Sequence, residues 1–133
     1  MIIVYLLILR MIPPSLSCIR TSPTNPPVVT TTLAPGCCPA LTQTLTPTTF
    51  PDGTMTFAYD SNTCRTTVVA TCSSSDPSFG LYAAIVANSD NYLDYDLTTV
   101  SFPGTCVNGA WFMGTPALQV MTLECILTNP PTG

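Results

Sequence analysis

Six cysteines crowd the span from Cys37 to Cys125: Cys37, Cys38, Cys64, Cys72, Cys106 and Cys125. Nothing else in the chain restricts its folding as strongly. Cysteines that pair covalently come in twos, and this set is even. The span holds about 90 residues, and a domain of that size buries only ~60–65% of the surface its unfolded chain exposes, so covalent staples supplement a small core. Spacing alone does not choose among the roughly 15 connectivities that six cysteines allow. A bridge between the neighbours Cys37 and Cys38 is strained and is set aside.

The apolar fraction of 46% is enough to build that core, which argues against disorder in the cysteine-bearing part. Charge then narrows the function. The basic residues are Arg10, Arg20 and Arg65, with no lysine and no histidine, against seven acidic residues. A nucleic-acid binder needs a basic face to neutralise phosphates, and none can be assembled here. A cationic membrane-disrupting peptide is excluded for the same reason.

Residues 1–17 read as a secretory signal peptide. Ile2 to Leu9 is an unbroken apolar run, Pro13-Pro14 stops any helix, and Ser15-Leu16-Ser17 offers small residues for cleavage. A spanning helix needs ~20 apolar residues, and this run is far shorter. Cleavage after Ser17 leaves Cys18 at the new N-terminus, whereas cleavage one residue later removes it. Residues 18–36 form a Pro/Thr-rich linker, suited to O-glycosylation or to a bare spacer. At the other end, residues 128–133 form a short tail without the hydrophobic stretch of a lipid-anchor signal.

From Cys37 to residue 127 the signals are those of strands. Residues 54–59 (TMTFAY) alternate, with Met55, Phe57 and Tyr59 on one face. Residues 65–72 are rich in β-branched side chains. Ser73 to Gly80 is a polar loop. Leu81 to Ala87 is a continuous apolar run, expected as a central strand buried on both faces. Residues 92–100 alternate, which places Leu93, Tyr95 and Leu97 on one side and Tyr92, Asp94 and Asp96 on the other. Ala110 to Met113 is a short aromatic strand, Gly114-Thr115-Pro116 a turn, and Ala117 to Leu127 the last strand. With a first strand near Leu41 to Leu45, about seven short strands result, and no segment keeps a helical period. The expected fold is all-β, a small disulfide-stapled antiparallel β-sandwich.

Catalytic chemistry has little to stand on. Without histidine there is no Ser-His-Asp or Cys-His arrangement, and without lysine no Schiff base or phosphate-gripping loop. The pair Asp94 and Asp96 sits on one strand face, roughly 7 Å apart. Such a pair can serve acid/base or calcium chemistry, but an alternating aspartate face is also what a solvated strand presents. Trp111, the sole tryptophan, is expected in the core against a bridge, with Phe112 on the opposite face.

Cys37-Cys38-Pro39, the run Cys64-Arg65-Thr66-Thr67-Val68-Val69-Ala70-Thr71-Cys72, the run Cys106-x4-Trp111-x2-Gly114 and the closing Val120-x4-Cys125 together resemble the six-cysteine domain of secreted nematode proteins. The resemblance covers roughly residues 37–126 and implies an extracellular domain of uncharacterised function. It also implies a Cys37–Cys64 bridge, because some members lack the first and third cysteines together. The first two cysteines are adjacent here, where members commonly space them, so Cys37 and Cys38 can exchange roles. For the others, Cys38–Cys125 with Cys72–Cys106 is the leading arrangement. The alternative is Cys106–Cys125 with Cys38–Cys72, since a simple hairpin about Gly114–Pro116 would set Cys106 opposite Cys125.

The expected function is a secreted extracellular structural or binding module. No catalytic activity, cofactor, metal or nucleic-acid partner is expected, nor a membrane span in the mature chain. The partner would be an extracellular protein or glycan. The alternative is a secreted protease inhibitor or defence effector presenting the loop Ser73–Gly80 or Asn88–Asn91.

Overall fold

The computed structural model describes residues 32–47 and 49–130. The segment expected as a signal peptide, Cys18 and the expected linker up to residue 31 lie outside the described residues, as do residue 48 and the last three residues.

Eight strands form two antiparallel sheets. Strands β1 (Thr54–Tyr59), β2 (Thr67–Ser73), β5 (Thr99–Val107), β6 (Ala110–Met113) and β7 (Leu118–Gln119) make the larger sheet, in the order β1-β2-β5-β6-β7. Strands β3 (Tyr82–Ala87), β4 (Asn91–Leu97) and β8 (Leu123–Thr128) make the smaller one, in the order β4-β3-β8. The fold is therefore the small antiparallel β-sandwich that the strand signals predict. The core lies between the sheets. Met55, Val68, Ala70, Val100, Trp111 and Met113 face it from the larger sheet, and Ala83, Ile85, Ala87, Leu123 and Leu127 from the smaller. Burying a Val, Leu or Ile side chain yields about 1.5–3 kcal/mol, so this interlayer is the main source of stability.

Two segments expected as single strands are each divided between the sheets. Residues 92–100 break at Thr98, whose φ of 72° turns the chain out of β4 and into β5. Residues 117–127 likewise break between β7 and β8. The Asn88 side chain holds that crossing, its Oδ1 accepting from the amides of Met121 and Thr122 at 2.7 and 3.2 Å. β5 also runs through Pro103-Gly104, which has the composition of a turn. Cys106 donates its amide to Thr66 on the β2 side. By alternation the Pro103 nitrogen faces the β6 side, one position beyond the last β6 residue, Met113, so no ladder bond is lost.

The first strand expected near Leu41–Leu45 does not form. That segment runs beside β8, with Thr44 donating to Leu123 at 2.8 Å and Gly53 to Cys125 at 2.9 Å. The Gln43 amide takes the place of a strand partner, donating to Gly53 O and accepting from the Met55 amide. The loop after β2 contains a 3-10 turn, Pro77–Phe79.

Three bridges join the six cysteines: Cys37–Cys64, Cys38–Cys106 and Cys72–Cys125. The first is the pair implied by the resemblance. The other two replace both sequence-based arrangements. A Cys72–Cys106 bridge fails because Cys72 lies opposite Val100, six residues along β5 from Cys106, which is roughly 20 Å. A Cys106–Cys125 bridge fails because the chain leaves the larger sheet after Gln119, so no hairpin brings Cys125 back beside β5. Cys38 instead pairs with Arg65 in an isolated bridge at the Cys106 end of the sheet, and Cys72 reaches across the core to Cys125.

Candidate binding face

The outer face of the smaller sheet carries the most exposed aromatic surface in the strands. Register places Tyr82, Ala84 and Val86 of β3 outward, opposite Leu97, Tyr95 and Tyr92 of β4. On the other side they stand opposite Thr128, Ile126 and Glu124 of β8. A β-bulge between Ile85 and Val86 makes this face aromatic. The extra residue, Leu93, turns toward the core, and every position after it changes sides. Tyr92, Tyr95 and Leu97 then share the outer face, while Asp94 and Asp96 fall on the other. The strict alternation expected over 92–100, with Tyr92 beside the aspartates and Tyr95 beside Leu93, is corrected accordingly. The three-residue spacing of Tyr92 and Tyr95 is the one signal in the sequence that could have revealed it.

Tyr92 is 60% exposed, Tyr95 47% and Leu97 51%, whereas the central Ala84 and Val86 are fully covered. The Tyr82 and Tyr95 rings are 6.1 Å apart at 56°. Tyr92, Tyr95, Thr128 and Asn129 line a hollow of about 320 Å³. Tyrosine suits a contact surface because it offers a large rigid area with a polar tip and has few rotamers to lose.

The face stands on a fixed support. Glu124, opposite Val86, is 4% exposed. Its carboxylate accepts from Thr46 Oγ1 at 2.6 Å and from Ser89 Oγ at 3.0 Å. It thereby ties the segment beside β8 to the β3–β4 turn.

Asp94 and Asp96 have a structural task. Asp94 Oδ1 accepts from the amide of Tyr95 at 2.9 Å, and Asp96 Oδ1 from that of Leu97 at 2.7 Å. β4 is an edge strand, and these two amides point away from β3. The aspartates occupy the donors that another strand would use, a recognised means of blunting an open edge. Among the described residues no group of three or more candidate ligands is arranged to hold a metal ion, and no helix there is long and apolar enough to cross a membrane.

The other sequence-selected residues are dispersed. Trp111 is buried, 6.1 Å from the Tyr59 ring, and donates from Nε1 to Pro39 O at 2.8 Å. Phe112 lies half-buried on the outer face of the larger sheet. The loop after β2 is held by Asp76, whose carboxylate accepts from the Ser78 hydroxyl and amide and is lowered below its ordinary pKa by them. Phe79 projects from that loop, 72% exposed. The turn at Asn88–Asn91 begins with two left-handed residues, Asn88 and Ser89. Arg65 lies over the Tyr59 ring, 5.0 Å from its centroid. Comparison with protein-family models, with curated proteins and with solved structures finds no match to this chain.

Proposed function

We propose that this protein is a secreted, disulfide-stapled binding module that engages an extracellular protein or glycan through the tyrosine face. The leader-like apolar run, the Pro/Thr-rich linker and the resemblance to the six-cysteine domain of secreted nematode proteins support the extracellular reading. The observation that carries the binding reading is the exposure of Tyr92, Tyr95 and Leu97 together on one face of a braced sheet. Aromatic anchors of this kind dominate binding energy at protein interfaces. The reading is that of a module without catalytic activity.

The inhibitor alternative has less support. A loop that enters a protease cleft as a substrate does must present extended backbone. The loop after β2 is a capped 3-10 turn, and Asn88–Asn91 opens with left-handed residues.

The test uses the secreted chain beside a Tyr92→Ala/Tyr95→Ala variant, captured on extracellular-matrix proteins and on a glycan array. The variant should melt with the native protein and lose at least about tenfold in affinity for whatever the native chain retains. Undiminished retention by the variant would assign binding elsewhere. Stoichiometric inhibition of a protease by both proteins would favour the alternative.

A further inference from the structure

We propose that the outer face of the five-stranded sheet is a self-association surface, through which two copies of this chain dock face to face. The alternation that sends Met55, Val68, Ala70 and Trp111 inward sends their neighbours out to solvent. Every outward side chain on β1, β2, β5, β6 and β7 is Thr, Ser, Ala, Val, Pro, Phe or Gln, and none is charged. The centre of the face is a cross-strand row, Thr56–Thr71–Ser101, in which the last two hydroxyls lie 2.8 Å apart. Beside it runs an apolar row, Ala58–Val69–Pro103. At the β5–β6 end, Val107 and Phe112 border a hollow of about 430 Å³.

A water-soluble domain ordinarily scatters charge over an exposed sheet, and a large uncharged face marks a contact surface. Charge decides which partner fits. The seven acidic residues lie in turns, on the smaller sheet or in the segment before β1, and Arg65 precedes β2. Two copies meeting by any of those regions bring carboxylates together, with Arg65 alone among the described residues to offset them in each. Meeting by the centre of this face, they bring none; Asp60, opposite Thr67 where β1 ends, stands at its rim with its carboxylate occupied by Thr66 and Thr67. A strongly charged partner gains nothing from it. Hydroxyls both donate and accept, so the same row can pair with its own two-fold image, as an isologous interface requires. Strands ~4.8 Å apart, from two residues long in β7 to nine in β5, give roughly 500 Å² of sheet plane per copy, hence about 1,000–1,500 Å² of accessible surface covered in the pair. That is at the lower edge of the range for stable interfaces, so the dimer should be reversible and of about micromolar strength.

Sedimentation equilibrium on the full secreted chain from about 1 to 500 μM tests this. A monomer–dimer equilibrium is expected. It should tighten as salt is added, because salt screens the repulsion between two acidic domains and there is no interfacial ion pair to weaken. Ser101→Lys and, separately, Val69→Lys should each weaken it at least about tenfold. Both side chains are exposed, and thermal melts verify that each variant is folded. Tyr92→Ala/Tyr95→Ala should leave it unchanged. A chain that stays monomeric throughout overturns the proposal, whether or not a soluble neutral β-glucan then binds the face. So does a dimer indifferent to both lysines, or one lost with the tyrosines.

Discussion

Removing the Cys72–Cys125 bridge should cost the domain more than removing Cys37–Cys64. It alone of the three ties the two sheets together, from β2 to β8 across the core. Its cysteines are 53 residues apart, and loop-closure entropy for a free chain with that separation is about 4 kcal/mol. The other two bridges remain in the variant and shorten the effective loop to about 30 residues, which lowers the figure to about 3.5 kcal/mol. Both sulfurs are completely buried, so Cys72→Ala/Cys125→Ala also opens space between the layers, adding roughly 1 kcal/mol. A total of about 4–5 kcal/mol corresponds to a melting point lower by roughly 20–30 °C for a domain of this size. Cys37→Ala/Cys64→Ala opens a loop of 27 residues, and Cys64 is partly exposed, so only the entropic part of about 3.5 kcal/mol is expected there. Urea denaturation of both variants measures the difference. A single Cys72→Ala variant, alkylated after unfolding, should carry the label on Cys125. A label on Cys106 or Cys38, or a double variant that loses less than about 1 kcal/mol, would refute the reasoning.

Other perturbations probe the supports of the fold. Glu124→Ala strips the acceptor from Thr46 and Ser89 and should cost about 2 kcal/mol in urea denaturation, without affecting the disulfides. Gly53→Ala would place a Cβ 2.6 Å from Cys125 Sγ and 2.7 Å from Ser73 O, so a loss of about 1–3 kcal/mol is expected from thermal melts. Asp60 is lowered from 3.8 to about 2, first by the Thr66 hydroxyl and then by the Thr66 and Thr67 amides. Because its folded value lies below its unfolded one, its contribution is complete above pH 3.8 and fades as pH falls toward 2; Asp60→Asn should flatten the acid limb of a stability–pH curve. Arg65, whose carbonyl accepts from the Cys38 amide at 3.0 Å, should resist trypsin in the native domain and be cut after reduction, as read by mass spectrometry.

The chain's own pattern was enough to reach the all-β class, the cysteine framework and the inward set Met55, Phe57 and Tyr59, because period-two alternation and β-branched composition act within a few residues. The same local logic placed Trp111 in the core and made Leu81–Ala87 a central strand. It could not show that residues 92–100 and 117–127 each serve both sheets. A corner such as Thr98 is a single backbone torsion, and it becomes favourable only when each half finds a different neighbour. Cysteine pairing depends on those same crossings, so it was decided with them. The candidate site was the least legible part. One extra residue at the β4 bulge exchanges the faces of all that follow, and only the pairing of β4 with β3 establishes where that residue goes. Local pattern thus determined what each segment could be, and tertiary pairing determined which side chains meet: three tyrosines on one face, and two aspartates on a strand edge.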